Sequence, residues 1–235
     1  MALPEVVSRE QWLQARLALL AEEKDLTRRR DALNTKRRKL PMVRVEKDYA
    51  FDGPDGLITL TGLFGECRQL VVHHIMFDPE WDAACPSCTE YTSEFAGALV
   101  DRLRSRDTAF AMVCRAPQAK IAAYTAGRGW VLPWYSSYGS DFNYDFQVTL
   151  NKSLPQLEYN YRPEPQLLGG EQSTELPGAS CFLREGGEIF HTYSAYARGL
   201  DHVDFAYGFL DLTALGRQES WEEPKGRAPV IRDTL

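Results

Sequence analysis

The first 40 residues carry a hydrophobic pattern typical of one long helix. Large apolar side chains recur every seven residues on a polar background: Trp12, Leu19, Leu26, Leu33 and Leu40. Ser8 followed by Gln11 matches a capping box and Pro41 ends the run, so the pattern predicts a helix between them. A coiled coil needs a second apolar position in each heptad, and here that position is Arg, Glu or Lys after the first turns. The helix therefore presents a narrow apolar ridge that either lies along its own domain or pairs with the same helix of another subunit.

Beyond Pro41 the pattern changes to that of a sheet. Alternating apolar and charged residues over 43–51 predict a half-buried strand, and the Gly-Pro-Asp-Gly sequence at 53–56 predicts a turn. Continuous apolar segments then predict four buried strands: residues 70–77, 108–114, 130–134 and 179–183.

Helical stretches at 86–104 and 117–126 follow the first two of these strands. Strands that alternate with helices of this length predict parallel β-α-β crossovers. The fourth strand instead continues through a tight turn into residues 188–193, which predicts an antiparallel hairpin. A last helix is predicted over 201–215, and residues 151–176, rich in proline and glycine, are predicted to be a long loop.

Charge and composition narrow the class of protein. No apolar stretch approaches the roughly 20 residues that cross a bilayer. Residues 1–40 hold ten basic and six acidic side chains, whereas the remainder holds 17 basic and 27 acidic. The acidic remainder argues against general nucleic-acid binding, despite basic clusters at 28–30 and 36–39. Five sparse cysteines and a charged N-terminus lead us to expect a cytoplasmic location.

The motif that carries chemistry is Cys85-Pro86-Ser87-Cys88, directly after a buried strand and at the start of a helix. A cysteine at a helix N-cap faces unpaired N–H groups and the positive end of the helix dipole, which stabilise a thiolate. Pro86 suits the first helical position because its missing N–H would be unpaired there anyway. Cys88, one turn inside, is close enough to attack a mixed disulfide on Cys85. We therefore expect Cys85 to be the nucleophile and Cys88 the resolving thiol.

Two other interpretations of this motif stay open. A zinc site would need two further ligands, and the chain has no second CxxC or His pair at ligand spacing. His73 and His74 are adjacent, so in a strand they point to opposite faces. An inert pair of buried thiols is favoured by acidic neighbours that oppose a thiolate: Asp78, Glu80, Asp82 and Glu90. The other three cysteines are expected to pack as small hydrophobes.

The carboxyl ends of the predicted parallel strands locate the surroundings of the motif, because ligands meet an open parallel sheet there. Arg115, directly after the second strand, is a candidate for positive charge near Cys85, with a plain surface arginine as the alternative. Trp81 is expected to shield the disulfide, and His191 is a candidate proton carrier. Residues 130–146 mix aromatic and polar side chains as a binding pocket would, although core packing explains most such clusters. The candidate binding residues are Trp81, Pro86, Arg115, Trp134, Tyr135, Asp141, Tyr144 and His191.

Several stretches resemble a bacterial thioredoxin-like family of unknown function whose members are regarded as dithiol-disulfide oxidoreductases: HHIMFDPEWDAACPSC, GSDFNYDF and FHTYSAYARGLD. The likeness covers about residues 41–215, and RRRDALNTKRRKLP also resembles that family's N-terminal region. It implies a thioredoxin fold with Cys85 and Cys88 at the redox position, and it names no substrate. Thioredoxin itself has Trp-Cys-Gly-Pro-Cys, whereas Ala84 precedes Cys85 here. Thioredoxins also place a cis-proline just before the hairpin strand, where Pro177 is separated from that strand by Gly178.

We therefore expect an α/β, thioredoxin-like fold with a mixed sheet, parallel β-α-β units, a C-terminal hairpin plus helix, and an N-terminal helical extension. The expected domains are a basic helix at 1–40, the thioredoxin-like domain at 41–218 and a flexible tail at 219–235. The expected partners are a thiol or disulfide reductant, a small-molecule substrate, and a second copy through the N-terminal helix. No cofactor, metal, nucleic acid or membrane is expected.

The expected function is a thiol-disulfide oxidoreductase that uses the Cys85–Cys88 dithiol. Peroxiredoxins resemble this fold but need Pro-x-x-x-Thr-x-x-Cys. Here Pro79 precedes Cys85 by six residues, and Asp82 takes the threonine position. A peroxiredoxin-like thiol peroxidase and a non-redox binding protein remain the alternatives.

Overall fold

The computed structural model describes residues 3–95 and 97–224 of the chain. They divide into two units, one from the described residues of Met1–Pro41 and Ala206–Leu235 and the other from Met42–Phe205. Within the described residues, no helix combines the length and apolar character needed to span a membrane. Most of the expected C-terminal tail, residues 225–235, lies outside the described residues.

The N-terminal helix predicted from the seven-residue pattern is confirmed as α1, Arg9–Arg37. The side-chain oxygen of Ser8 accepts the Gln11 N–H, and the Gln11 side chain accepts the Ser8 N–H, so the predicted capping box forms. None of the residues of α1 is buried, and Leu26 in the middle of the ridge is 66% exposed. The apolar ridge is therefore exposed in the part of the chain that the structure describes.

A mixed sheet is the centre of the second unit. In chain order the strands are β1 (Val43–Arg44), β2 (Ala50–Gly53), β3 (Gly56–Thr59), β4 (Gln69–His74), β5 (Thr108–Cys114), β6 (Trp134–Ser136), β7 (Thr149–Asn151), β8 (Glu158–Tyr159), β9 (Arg162–Pro163), β10 (Ser173–Glu175), β11 (Gly178–Glu185) and β12 (Glu188–Tyr196). Eight of these strands form one sheet in the order β1-β12-β11-β4-β5-β6-β2-β3. The predicted Gly-Pro-Asp-Gly turn joins β2 to β3.

The connections between the central strands define the fold. The remaining helices are α2 (Leu60–Leu63), α3 (Pro86–Ser93), α4 (Gly97–Arg104), α5 (Gln118–Ala126), α6 (Phe142–Asp145) and α7 (Phe205–Leu210), with 3-10 helices at Pro165–Leu168 and Ala197–Val203. β4, β5 and β6 are parallel neighbours, with α3, α4 and α5 in their crossovers. β11 and β12 form an antiparallel hairpin that pairs with β4. This arrangement is thioredoxin-like, as the sequence predicts.

The two faces of the sheet have separate cores because side chains alternate along each strand. Leu70 and Val72 of β4 pack on one face with Phe142 and Phe182. The other face carries alternate residues of β5, which pack with α3 and α5: Phe110, Met112 and Cys114. The CxxC helix therefore belongs to one face only.

The strand predicted at 130–134 is wrong in position, since β6 covers Trp134–Ser136. Pro133 has no N–H to donate to a ladder, so pairing with β5 begins only after it. The Pro133 carbonyl still accepts the Met112 N–H at 2.8 Å. Trp130 instead stacks on Trp134.

Two predicted helices are shorter than expected. Residues 86–104 form two helices, α3 and α4, because the first closes in a tight turn where the Phe95 N–H bonds to the Thr92 carbonyl at 3.1 Å. The helix predicted over 201–215 is reduced to α7, preceded by the 3-10 helix at Ala197–Val203. Asp204, with φ −88° and ψ 116°, is extended and separates them.

The predicted loop at 151–176 is more ordered than its composition indicates. It contains the β8–β9 hairpin, a 3-10 helix and β10, which pairs with β7. Asn160 and Tyr161 have φ values of 52° and 64°, the pair of left-handed residues of a type I′ hairpin turn. A tyrosine rarely occupies such a position, so the sequence carried no hairpin signal. Among the described residues the only cis peptide bond precedes Pro224, so the bond before Pro177 is trans.

Candidate functional site

Cys85 occupies the N-cap of α3, where the sequence placed it. Its backbone is non-helical, with φ −48° and ψ 134°, and Pro86 takes the first helical position. The Cys85 carbonyl accepts the Thr89 N–H and the Thr89 hydroxyl, each at 2.9 Å. The Cys85 N–H donates to the Met76 carbonyl at 2.9 Å. These bonds fix the half-buried thiol at the start of the helix.

The sulfur of Cys85 is surrounded by hydrogen-bond donors that favour its thiolate. The Cys88 thiol donates to it, and so do the Cys88 N–H, the Ser87 N–H and the Ser87 hydroxyl, and burial opposes them. Together they lower the pKa of Cys85 to about 6. Donation to Cys85 and burial raise the pKa of Cys88, which is 6% exposed. Both thiols are free, so the pair combines one ionised and one protonated sulfur.

The acidic residues before the motif do not prevent ionisation of Cys85. One Asp78 carboxylate oxygen lies 3.6 Å from Arg115 Nη1, and the other accepts the Glu80 N–H at 2.9 Å. The Lys120 ammonium donates to the carbonyls of Pro79 and, at 2.9 Å, Trp81. Two cations that follow β5 therefore hold the turn that precedes Cys85. Trp81 contributes its backbone to that contact, and its side chain is 37% exposed.

Arg115 is the centre of a partly buried charge cluster at the carboxyl ends of β4 and β5. Its Nη1 donates to Glu175 Oε1 at 2.9 Å, and its guanidinium lies 5.0 Å from the centre of the Tyr144 ring. The second oxygen of Glu175 accepts the Thr149 hydroxyl at 2.9 Å. Burial, and the neighbouring Asp78, raise the pKa of Glu175 to about 7, against the opposing effect of Arg115. The predicted positive charge is thus engaged by two carboxylates.

Glu175 is a residue that sequence reasoning missed. It is 3% exposed and ends β10, inside the segment predicted to be a loop. A single acidic residue among prolines and glycines carries no pattern that marks it as buried. Its partners Arg115 and Thr149 come from distant parts of the chain, so no local spacing connects them.

The aromatic candidates of residues 130–146 separate onto the two faces of the sheet. Trp134 is buried in the same cluster as Cys88, and its ring stacks on Trp130 with centroids 5.8 Å apart. Tyr135 packs against the opposite core. The Asp141 carboxylate binds the Lys47 ammonium at 2.6 Å and makes no contact with the thiols among the described residues. Of the aromatic candidates, Trp134 shares the core of the dithiol and Tyr144 contacts Arg115.

His191 lies at one end of a buried polar chain. Its Nε2 is 2.8 Å from the Ser194 hydroxyl, which is 2.8 Å from the Ser180 hydroxyl, and that oxygen is 2.9 Å from His74 Nε2. Burial lowers the pKa of His191 and lowers that of His74 to about 3. Both rings are therefore neutral at physiological pH. The ring of His191 packs against Phe146 and Phe182, which belong to the core on the face opposite the dithiol, so the structure does not bring this predicted proton carrier to Cys85.

His73 and His74 point to opposite faces, as the sequence predicts. His73 stacks on Tyr91 of α3 with centroids 4.8 Å apart, on the face of the dithiol. His74 lies against Phe142 on the other face. Burial lowers the pKa of His73 to about 4. Over the described ranges, no three His, Cys, Asp or Glu side chains are arranged to hold a metal ion.

Comparisons with known proteins place the chain in a wider context. The family model described as "Bacterial protein of unknown function (DUF899)" matches residues 1–230. No curated protein matches the sequence. Among solved structures, one of peroxiredoxin Q from Xanthomonas campestris is 16% identical, with a TM-score of 0.48 over 70% of this chain and 90% of that one. Peroxidoxin BcpB from Mycobacterium tuberculosis is also 16% identical, with a TM-score of 0.45 over 71% and 92%.

Proposed function

The chain belongs to the bacterial DUF899 family, whose function is unknown, so we propose its activity from the site itself. We propose that it is a dithiol-disulfide oxidoreductase that cycles Cys85 and Cys88 between the reduced and the disulfide state. The observation that carries the proposal is the hydrogen bond from the Cys88 thiol to the Cys85 sulfur at the start of α3. It supports a thiolate on Cys85 at neutral pH, with a second thiol hydrogen-bonded to it.

The reaction uses the two sulfurs in turn. The Cys85 thiolate attacks one sulfur of a disulfide substrate, a mixed disulfide forms, and the first substrate thiolate leaves. Cys88 then loses its proton to solvent or to the departing thiolate and attacks the Cys85 sulfur. The Cys85–Cys88 disulfide forms and the second substrate thiol is released. An external dithiol reduces the pair and completes the cycle.

The burial of the pair supports small disulfides as the substrate class. Cys85 is half-buried and Cys88 is buried, so a small disulfide reaches Cys85 more readily than a disulfide held inside a folded protein. We therefore assign low-molecular-weight disulfides to the site. This replaces the pocket of aromatic loops, since Trp134 and Tyr135 pack in separate cores.

Turnover of a small aromatic disulfide with dithiothreitol as the reductant tests the proposal. Cys85→Ser is expected to abolish turnover. Cys88→Ser, mixed with the disulfide in the absence of dithiothreitol, is expected to stop at a trapped mixed disulfide on Cys85, visible by mass spectrometry. Cys181→Ser is the matched control, since its side chain lies on β11 and is expected to leave turnover unchanged. Full activity of Cys85→Ser, or a Cys85 that resists alkylation in the folded protein, would contradict the proposal and favour a non-redox binding role.

Turnover of hydrogen peroxide distinguishes a thiol peroxidase from a dithiol oxidoreductase. A Cys85 thiolate would attack peroxide to form a sulfenic acid and release water. The Asp82 side chain at the position of the peroxiredoxin threonine lacks the hydroxyl of that motif. We therefore expect disulfide turnover to exceed peroxide turnover. Faster peroxide consumption that persists in Cys88→Ser would assign the peroxidase instead.

A further inference from the structure

The helix α1 carries an apolar ridge that is exposed among the described residues. The ridge consists of Trp12, Leu19, Leu26 and Leu33, and Leu40 continues the seven-residue spacing three residues beyond the end of α1. Between 47% and 66% of each of these residues is exposed, and no residue of α1 is buried. The 29 residues of α1 extend for about 43 Å. A helix of this kind gains most of its stability by packing an apolar face, so the ridge lacks a partner of matching length.

The three leucines of the ridge are symmetric about Leu26. In an antiparallel pair of these helices centred on Leu26, Leu19 lies level with Leu33 of the second copy, and Trp12 reaches past the end of α1 of the second copy. Each copy then places Leu19, Leu26 and Leu33 against the same three residues of the other. An interface that uses the same surface twice is what a two-fold dimer requires.

The charges beside the ridge distinguish an antiparallel pair from a parallel one. Residues three and four positions after each ridge residue flank it on its two sides. On one side these are Glu22, Arg29 and Lys36, and on the other side Glu23, Arg30 and Arg37. In a parallel pair, each flanking residue lies beside a residue at the same height on the second helix. Glu22 then faces Glu23 of the second copy, and Arg29 faces Arg30 of the second copy. That arrangement is repulsive.

In the antiparallel pair the same flanks are complementary. Glu22 comes level, within about 1.5 Å along the axis, with Arg29 of the second copy, and Glu23 with Arg30 of the second copy. The symmetry repeats both contacts, which makes four acid–base contacts around Leu26. Towards the ends, Arg16 approaches Arg37 of the second copy. Arg16 is bonded to Glu23 of its own helix at 2.7 Å, and Arg37 is bonded to Asn34 at 2.6 Å.

We propose that α1 is a dimerisation helix that pairs with α1 of a second copy of this chain, antiparallel and centred on Leu26. The occupant of the ridge is thus the chain itself. The proposal is independent of the redox activity, because it rests on α1 alone.

Sedimentation velocity on the full-length protein tests the dimer. We expect the wild type to sediment as a dimer and Leu26→Glu, which places two carboxylates together on the two-fold axis, to sediment as a monomer at the same concentration. Leu17→Glu is the matched control. Leu17 is an exposed leucine of α1 outside the ridge, so this variant is expected to remain dimeric. Circular dichroism confirms that each variant keeps its helix content.

A charge exchange tests the antiparallel register. Glu22→Arg and Arg29→Glu each create like-charged pairs across the axis and are expected to weaken the dimer about tenfold. The double variant restores opposite charges and is expected to regain most of the wild-type affinity. The proposal is overturned by a monomeric wild type, by a dimeric Leu26→Glu, by equal dissociation of Leu17→Glu, or by a double variant no tighter than the single ones.

Discussion

Arg115 Nη1 donates to Glu175 Oε1 at 2.9 Å, and the same nitrogen lies 3.6 Å from Asp78. One guanidinium therefore faces two acidic residues from distant parts of the chain. The contact joins the turn that precedes Cys85 to the end of β10. Removal of this cation is costly because the Glu175 carboxylate is buried.

Arg115→Met is expected to lower the free energy of unfolding by about 3 kcal/mol at pH 8, since it leaves the buried Glu175 carboxylate without a cation. The pKa of Glu175, at about 7, makes this cost depend on pH. At pH 5 the Glu175 carboxyl is protonated in the folded protein, so the loss is smaller there. Urea denaturation of wild type and variant at both values measures the difference.

The double variant Arg115→Met with Glu175→Gln is the control for this explanation. It removes the orphaned carboxylate and is expected to recover part of the lost stability at pH 8. Arg198→Met removes a surface ion pair with Asp201 and is expected to cost less than about 1 kcal/mol. A loss in Arg115→Met that is equal at both pH values would contradict the burial of a charged Glu175.

The ionisation of Cys85 is expected to govern its alkylation. With a pKa of about 6, the Cys85 thiol loses its proton as the pH rises through 6, so the rate of reaction with iodoacetamide rises there and is level above pH 7. An unperturbed thiol would rise near pH 8.5 instead. The rate at each pH is followed by mass spectrometry of the peptide that contains Cys85.

Cys88→Ala identifies the cause of that shift. The variant removes the thiol that donates to Cys85, so the inflection is expected to move to a higher pH. Cys67→Ala is the control and is expected to leave the profile unchanged. An inflection that stays near 6 without Cys88 would assign the shift to the backbone donors of α3 alone.

These features differ in how far the sequence could predict them. Cys85 was predictable because its strand, its motif and its proline are neighbours in the chain, and local spacing determines an N-cap. Arg115 was predictable in place, since it directly follows β5, but its partners were not. Glu175 reaches it from a segment without periodicity, and only the folded chain brings them together.

The short elements were not predicted correctly, for a related reason. The strand at 130–134 was predicted from an apolar run, and hydrophobicity alone does not show that Pro133 delays pairing until Trp134. The β8–β9 hairpin depends on left-handed conformations at Asn160 and Tyr161, which the tertiary structure imposes on residues other than glycine. Patterns predict which residues are buried more reliably than where pairing begins.

Burial of His73 is expected to make the protein less stable in acid. Folding favours the neutral ring, whose pKa is about 4 in the folded state and 6.5 for the unperturbed group. The contribution of His73 is present above pH 6.5 and is lost as the pH falls towards 4, by about 1.4 kcal/mol per pH unit. His73→Phe, which keeps a ring against Tyr91, is expected to reduce the slope of stability against pH by that amount.

Chemical denaturation between pH 4.5 and 7 measures this slope. A slope in His73→Phe equal to that of the wild type would show that His73 is protonated without penalty in the folded state.

Lys120 is expected to keep the turn before Cys85 closed. Its ammonium binds the carbonyls of Pro79 and Trp81, and the Trp81 N–H bonds to the Asp78 carbonyl at 3.1 Å. Loss of these charge-assisted bonds in Lys120→Met is expected to speed amide exchange in this turn about tenfold. Hydrogen exchange with mass spectrometry measures it, with Lys24→Met of α1 as the control. Unchanged exchange would show that Arg115 alone holds the turn.

His73 and His74 are joined by one peptide bond, yet their imidazoles belong to different layers of the protein. They therefore provide a matched pair of magnetic probes at a single point of the backbone. The ring resonances of His73 should respond when the helix that carries the thiols adjusts to oxidation, because Tyr91 stacks on that ring. The resonances of His74 should respond to events near Phe142 and Ser180. Isotope labelling of both histidine rings in the folded protein would thus show in a single spectrum whether a perturbation crosses the sheet or stays on the face where it began.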